Sequence, residues 1–196
     1  MERPIERRHA PDMTPPAPGE LELVRSFVSL HEHEAESPDS RPPSLGFVEW
    51  WLRSNRLTDD DEPAAQEDLA WAAGVLEDLR ERVLQNGGRP ADPAAVERLN
   101  AAAREACLEV RFANGGRSRF EARAKGVRGA IGRLLAIAFL AELDGTWANF
   151  KECESPTCRA VFYDRSKNRS GKWCSMQSCG NRAKVRAFRE RRAAGT

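Results

Sequence analysis

Apolar side chains recur three or four residues apart over most of this chain, a spacing that is typical of amphipathic helices. Turn and cap residues divide the pattern. A Gly-Gly pair at 87–88 ends one segment, Asp92 and Pro93 begin the next, and Gly145 interrupts the last and most apolar one. The sequence therefore predicts helices over residues 20–34, 45–52, 63–85, 93–106 and 125–149.

The apolar period changes to two between the fourth and fifth predicted helices. Leu108–Phe112 and Arg117–Glu121 each alternate apolar and polar side chains, with an Asn-Gly-Gly turn between them. We expect a short β-hairpin here. It either covers a pocket in the helical region or pairs with a partner.

Three glycines in the last predicted helix, Gly126, Gly129 and Gly132, invite comparison with a phosphate-binding loop. They lie inside a helical pattern and do not follow a strand in the order that a dinucleotide site requires. We interpret them as positions at which the helix packs closely against its neighbours.

Four of the five cysteines form two C-x₄-C pairs near the C-terminus, Cys153 with Cys158 and Cys174 with Cys179. A structural zinc site takes four ligands in a tetrahedron, usually two from each of two short loops. The cations at the N-terminus are followed by no apolar segment, so we expect no export to an oxidising compartment and no disulfides. The pattern predicts one structural Zn²⁺ on these four thiolates. The fifth cysteine, Cys107, is predicted to be a small core residue.

Four thiolates and one Zn²⁺ carry a net negative charge, which favours nearby cations and N–H donors. Cys179 directly precedes a helical run over residues 181–192, so we expect its thiolate at a helix N-terminus, where the dipole favours an anion. Five cations lie between the two cysteine pairs: Arg159, Arg165, Lys167, Arg169 and Lys172.

The segment 153–192 resembles the CGNR zinc finger of bacterial proteins regarded as transcription regulators. Besides the cysteines, the matching residues are Phe162, Asp164, Ser166, Asn168 and the runs Trp173-Cys174-Ser175-Met176 and Cys179-Gly180-Asn181-Arg182-Ala183-Lys184. In that family the finger follows a helical region called the ABATE domain, described as a stress-induced regulator. The resemblance implies DNA binding by the finger.

The first predicted helix departs from the pattern of the family. Members commonly carry an Asp-Phe-x-Asn signature there, whereas this chain reads Ser26-Phe27-Val28-Ser29. Ser26 and Ser29 thus stand at the two polar positions. If the usual Asp and Asn contribute to a ligand pocket, this chain has altered it.

The net charge of +1 conceals an uneven distribution of charge. Residues 151–196 contain twelve Lys and Arg against four Asp and Glu, a net charge of +8, and the residues before them contain nineteen against twenty-six, a net charge of −7. Cations that neutralise the metal centre account for part of the excess. The remainder lies mostly after Arg182 and is the electrostatic footprint of a nucleic-acid binder.

A helical wheel of the last helix separates its cations into two edges, with Val185 and Phe188 between them. We expect these two apolar residues to pack on the metal site or on the helical region. Arg182 and Arg186 are predicted to reach base edges in the major groove. Phosphate contacts are assigned to Lys184, Arg189 and Arg191.

Trp173 and Tyr163 could instead stack on single-stranded bases, but we expect both in the core of the finger, which has few other large apolar residues.

Together these features predict a mainly α protein. A helical N-terminal domain with one short β-hairpin is followed by a small Cys₄ zinc finger that ends in a basic helix. The expected divisions are a disordered tail at 1–20, the helical ABATE-like domain at 21–150, the finger at 151–192 and a tail at 193–196.

The expected function is that of a cytoplasmic, nucleoid-associated transcription regulator that binds DNA. Its helical domain would sense a small-molecule effector or form a homodimer, and no membrane partner is expected. The alternative is a zinc-dependent module that binds RNA or protein. We expect no enzymatic activity, because the sequence lacks a nucleophile elbow, a phosphate loop and a His-carboxylate metal motif, and four thiolates leave zinc no open position.

Overall fold

The computed structural model describes residues 14–30, 43–58, 63–156 and 158–194. These residues form a mainly α structure, as predicted, with two small antiparallel hairpins. The elements in chain order are α1 (Leu21–Val28), α2 (Leu45–Ser54), α3 (Gln66–Gln85), α4 (Pro93–Glu105), β1 (Leu108–Arg111), β2 (Arg119–Ala122), α5 (Gly126–Leu143), β3 (Phe150–Glu152), β4 (Val161–Tyr163) and α6 (Asn181–Ala194).

Helix α5 forms the centre of the helical body, which comprises α1 to α5 with the first hairpin. It contacts α1, α3, α4 and strand β2, and it is apolar on nearly all sides because other elements surround most of its length. Phe27 of α1, Leu52 of α2, Leu76 of α3 and Leu134 of α5 are among the fully buried side chains. Burial of this common core is what stabilises the body.

The first hairpin, β1 with β2, confirms the predicted change of period. Val110 pairs with Phe120, and strand β2 lies against α5. The close packing predicted for the glycines is confirmed at Gly132, where an added Cβ would lie 2.6 Å from the Cβ of Ala122 and 2.8 Å from that of Ala106. A larger side chain at this position would push the hairpin away from α5.

The second hairpin, β3 with β4, was not predicted, and it belongs to the core of the body. Phe150 is fully buried, and its ring lies 5.2 Å from that of Trp147 and 5.6 Å from that of Tyr163. Val161 of β4 is buried in the same cluster as the helices. The expected division at residue 150 therefore falls beside a hairpin that continues the core of the body into the finger.

Two expectations about single segments need correction. Cys107 is exposed rather than buried, because it follows α4 with a left-handed φ of 49° and the preceding Ala106 takes the core position. Residues 1–13 of the predicted tail lie outside the described residues, but Thr14 and Ala17 are buried, and Arg165 donates to the carbonyl oxygen of Pro16 at 2.6 Å. In the described part of the chain, no helix combines the length and the apolar character that a bilayer span requires.

Candidate metal centre

Strand β4 has one face on the helical body and the other on the cysteines. Val161 and Tyr163 pack against the core of the body, whereas Phe162 between them packs against the cysteine cluster. Successive side chains of a strand point to opposite faces, so three residues are enough to connect the two regions. The hairpin β3–β4 thus joins the body to the metal centre.

The first cysteine pair lies in the loop of this hairpin. The amide N–H of Cys153 donates to the carbonyl of Ala160 at 2.9 Å, and that of Cys158 donates to Ser155 at 2.9 Å. Arg159 then takes a left-handed φ of 51°, which turns the chain back into β4. These bonds set the two sulfurs side by side at the end of the hairpin.

The second cysteine pair lies where the chain enters α6. Cys174 precedes a π-helical turn, Met176–Gly180, which contains Cys179 and continues directly into α6. The N–H of Gly180 donates to the carbonyl of Ser175 at 3.0 Å, a five-residue bond that widens the turn. The prediction that Cys179 lies at the start of the last helix is confirmed, with a π turn as that start.

The loop between the two pairs is held by Asp164, a buried residue. Its carboxylate accepts bonds from the amides of Ser166 at 2.9 Å and Gly171 at 2.8 Å, and the ammonium group of Lys151 lies 3.0 Å away. Burial raises the pKa of Asp164, but hydrogen bonds from Ser166, Lys151 and Gly171 outweigh it and lower the pKa to about 2. The carboxylate is therefore ionised at neutral pH and fixes the position of the loop.

The four sulfurs fit a tetrahedral metal ion. They lie within 4.8 Å of one another, with 3.5 Å between Cys158 and Cys174 and 3.7 Å between Cys174 and Cys179. Zinc–sulfur bonds of about 2.3 Å imply sulfur pairs about 3.8 Å apart in a tetrahedron. Cys153, Cys174 and Cys179 are buried and Cys158 is half-buried, so the centre is closed to solvent on most sides.

The ionisation of the thiols is coupled in a way that suits metal binding. Hydrogen bonds from Cys158 and then Cys174 lower the pKa of Cys153, and the backbone amides of Cys174 and Ser155 add to this effect. The hydrogen bonds with Cys153 raise the pKa of Cys158 and of Cys174, because each of these two thiols keeps its proton to donate it. A dication supplies the positive charge that lets all four ionise together, so binding of zinc releases protons.

Each residue of the run Cys179-Gly180-Asn181-Arg182 has a structural role. A Cβ on Gly180 would lie 2.8 Å from the sulfur of Met176 and 3.3 Å from a ring carbon of Trp173, so glycine lets the Met176 side chain lie against the turn and a larger residue would displace it. The amide nitrogen of Asn181 donates to the carbonyl of Gln177 at 3.1 Å across the π turn. The guanidinium of Arg182 donates to the sulfur of Cys179 at 3.0 Å, and this bond raises the pKa of Arg182. The run thus supplies a ligand, the turn that holds it and a cation that neutralises it.

Three cations of the finger lie beside acidic side chains. Lys151 pairs with Asp164, Arg159 with Glu152 at 3.0 Å, and Lys172 with Glu154 at 3.4 Å. Among the described residues, Arg182 is the cation whose bond to a ligand sulfur the geometry shows directly. Lys151, Arg159 and Lys172 therefore stabilise the fold of the finger through carboxylates.

Polar contacts attach the hairpin to the helical body. The hydroxyl of Ser29 bonds both the N–H of Val161 at 3.2 Å and its carbonyl oxygen at 3.1 Å. Arg80 of α3 is buried and donates to the carbonyls of Val28 at 2.6 Å and Arg159 at 2.9 Å. The hydroxyl of Ser29 thus attaches the finger to α1.

Helix α6 packs differently from the prediction. Its inner face consists of Ala183 and Ala187, which lie near Trp173 in the cysteine cluster. Val185 and Phe188, predicted to pack inward, are 49 % and 54 % exposed. The prediction is wrong because the small side chains of Ala183 and Ala187, rather than the larger apolar ones, face the cysteine cluster. Tyr163 likewise belongs to the core of the body, whereas Trp173 packs against the cysteines as expected.

The five residues of α6 that are predicted to contact nucleic acid are all exposed. One of them, Arg182, donates to the sulfur of Cys179. The other four form no ion pair with another described residue: Lys184, Arg186, Arg189 and Arg191.

Sequence reasoning missed three polar residues beside these cations. Gln177, Ser178 and Asn181 line an open groove together with Arg186 and Arg189. The groove follows the π turn and the first turns of α6. Gln177 and Asn181 are four residues apart, the spacing of side chains that share a helix face. That spacing indicates a shared face only if the helix begins before Asn181, and the π turn that makes it begin there has no obvious sequence pattern.

Residues 149–192 match the family model described as CGNR zinc finger. This range begins one residue before β3 and includes all four cysteines and most of α6. A search of curated proteins found no match. The sulfur geometry and the family match agree on one structural zinc ion. The segment from 149 to 192 is therefore a CGNR zinc finger, with Cys153, Cys158, Cys174 and Cys179 as its ligands.

Proposed function

We propose that this chain is a transcription regulator that binds duplex DNA through α6, while the zinc ion holds that helix on the helical body. The observation that carries the proposal is the outward face of α6. There Arg186 and Arg189, which form no ion pair with another described residue, lie beside Gln177, Ser178 and Asn181, whose side chains are able to bond base edges.

The distribution of charge supports a phosphate-bearing partner. Three cations before α6, namely Lys151, Arg159 and Lys172, lie beside carboxylates, whereas α6 carries six Lys and Arg against a single acidic residue, Glu190. The chain before residue 151 has a net charge of −7, so it repels DNA and restricts contact to the finger. Each cation of α6 placed beside a phosphate would release condensed counterions.

The placement of α6 supports its use as a recognition helix. Recognition helices commonly contact bases with residues near their N-terminus. Here that end carries the polar groove residues and Arg186, and the zinc ligands lie in the turn just before it. The contact between Arg182 and Cys179 would make that arginine support the metal ligand, which leaves Arg186 as the main base-reading cation. Lys184, Arg189 and Arg191 would contact phosphates.

The regulatory half of the proposal concerns the helical body. The hairpin β3–β4 shares its core with α1 and α3, so a shift of those helices would move the metal centre and α6 as well. A small-molecule effector bound to the body would act by this route. Binding to chromosomal DNA implies that the protein works in the cytoplasm.

Selection of bound sequences from a random duplex library, using the zinc-loaded full chain, tests this function. We expect an enriched sequence, affinity that falls steeply with salt, and a relaxed preference in Arg186→Ala. Arg117→Ala is the matched control, because Arg117 is an exposed arginine in the turn of the first hairpin. Uniformly weaker binding with the preference unchanged would contradict base reading by Arg186.

Competition between duplex DNA and RNA of the same sequence tests the alternative, a zinc-dependent RNA- or protein-binding module. We expect the duplex to displace RNA at all salt concentrations. Preferred binding of RNA, or no binding of either nucleic acid, would contradict the DNA proposal.

A further inference from the structure

The first hairpin leaves a large apolar surface uncovered. Val110 is 52 % and Phe112 86 % exposed, because α5 lies against β2 and leaves β1 without a covering helix. Phe120 of β2 packs edge-on against Phe139 of α5 at 5.2 Å, and Leu143, one turn further along α5, is 68 % exposed. Contiguous apolar surface of this kind marks an interaction site.

The outer edge of β1 is free to pair, since in the described structure this sheet has two strands. The N–H of Arg123 donates to the carbonyl of Cys107 at 3.2 Å, so the odd-numbered residues of β1 direct their backbone groups toward β2. The N–H and C=O groups of Leu108 and Val110 therefore point to the outer edge. An edge of this kind is a template for another strand.

The charges on this strand are self-complementary. Glu109 and Arg111 flank Val110 on the polar face of the hairpin. In an antiparallel pair of two β1 strands centred on Val110, each Glu109 lies opposite Arg111 of the second copy. These positions are the non-hydrogen-bonded ones, where facing side chains are closest. A parallel pair in register would bring like charges together instead.

We propose that β1 pairs with β1 of a second copy about a two-fold axis at Val110. The two hairpins then form one four-stranded antiparallel sheet, in the order β2, β1, β1, β2. The two Val110 side chains meet at the axis, and Leu108 meets Phe112 of the second copy. Such a pairing closes after two copies, because it uses the same edge of both.

The pairing explains why Val110 and Phe112 are apolar although their own fold leaves them exposed. Charged side chains usually protect an edge strand from association. Here Glu109 and Arg111 carry opposite charges. An antiparallel second copy of β1 therefore places unlike charges opposite each other, whereas a parallel copy places like charges opposite each other. The dimer is independent of the DNA proposal, because no residue of the finger takes part.

Charge exchange within β1 tests the proposal through the mass of the full zinc-loaded chain in sedimentation equilibrium. We expect a dimer for the natural sequence. Glu109→Arg and Arg111→Glu, each alone, place like charges opposite each other twice and should raise the dissociation constant at least about tenfold. The double exchange restores opposite charges between the two copies and should restore the dimer, provided that circular dichroism shows that the hairpin tolerates the loss of the Arg111–Glu121 and Glu109–Arg123 pairs within each copy. A dimer that resists both single exchanges, or a natural chain that is monomeric up to millimolar concentration, would overturn the proposal.

A second pair of variants separates pairing from general surface effects. Val110→Pro removes the outward N–H without removing a bond to β2, and we expect it to abolish the dimer. Val185→Ser on α6 is the control, because that valine is exposed to a similar extent, 49 % against 52 %, outside the proposed interface. Circular dichroism before each measurement identifies a variant that fails to fold. A folded Val110→Pro chain that still dimerises would contradict the assignment of β1.

Discussion

The two C-x₄-C pairs have the same spacing but lie in opposite settings. Cys153 and Cys158 lie on a hairpin whose other face is part of the helical core. Cys174 and Cys179 lie at the start of α6, a helix with exposed cations and inward contacts made largely through alanine. The first pair is thus fixed by the body, and the second pair depends mainly on the metal.

This difference indicates what the zinc ion does for the protein. In an isolated finger, zinc supplies the folding free energy of the whole module. In this chain the core of the body already holds half of the site, through Phe150, Val161 and the buried Arg80. We infer that zinc mainly positions α6, and the following changes test that division.

The largest mutational effect is expected at Phe150, where the hairpin enters the core. Phe150→Ala removes a fully buried ring and should lower the free energy of unfolding by about 3–5 kcal/mol. Phe188→Ala on α6 is the control: that ring is 54 % exposed, and its loss should change stability by less than about 0.5 kcal/mol. Urea denaturation of zinc-loaded protein measures both. Equal losses would show that α6 is as well packed as the hairpin.

A smaller effect is expected at Asp164, which holds the loop between the two pairs. Asp164→Asn should lower stability by about 2 kcal/mol near neutral pH, because the pKa falls from 3.8 to about 2 on folding. A depressed carboxylate pKa stabilises the fold above the unfolded pKa, and this stabilisation is lost as pH falls from about 4 to about 2. The difference between the two chains should therefore be constant from pH 7 to about 5 and shrink below 4. A constant difference down to pH 2 would contradict this role.

The smallest effect concerns the hydroxyl that attaches α1 to β4. Ser29→Ala breaks two bonds to Val161 and should cost about 1 kcal/mol. Ser26→Ala is the matched control, since the hydroxyl of Ser26 bonds carbonyls of its own helix and its loss should be nearly neutral. Thermal unfolding of the two variants provides the comparison. A larger loss for Ser26→Ala would contradict the attachment.

Local features of the sequence were enough to predict most of the fold. The five helices, the first hairpin and the two cysteine pairs each depend on neighbours within a few residues, and the structure confirms them. Two helices are shorter than predicted: α1 ends at Val28 rather than at residue 34, with residues 31–34 outside the described part of the chain, and α5 ends at Leu143 rather than at residue 149. The close approach at Gly132 was also predicted, because a glycine inside a long helix often lies where a neighbouring element packs against the backbone.

Most of the wrong or missing predictions depend on contacts between distant segments. Strand β4 is three residues long, and it forms only because Val161 fits the core while Phe162 reaches the cysteines. The helical wheel predicts that Val185 and Phe188 face inward, but Ala183 and Ala187 take the inward positions beside Trp173. The exposure of Cys107 has a local cause: the backbone turns at the end of α4, and the apolar residues beside Cys107 in the sequence give no sign of that turn.

Hydrogen–deuterium exchange with and without zinc tests the central claim most directly. The full chain is measured zinc-loaded and again after removal of zinc by a strong chelator. We predict that amides of the π turn and α6 lose protection on zinc removal, while those of α5 and the hairpin β3–β4 keep most of theirs. Loss of protection throughout the body, or a protected α6 without zinc, would contradict the claim that zinc chiefly fixes α6 on a body that folds around the first cysteine pair.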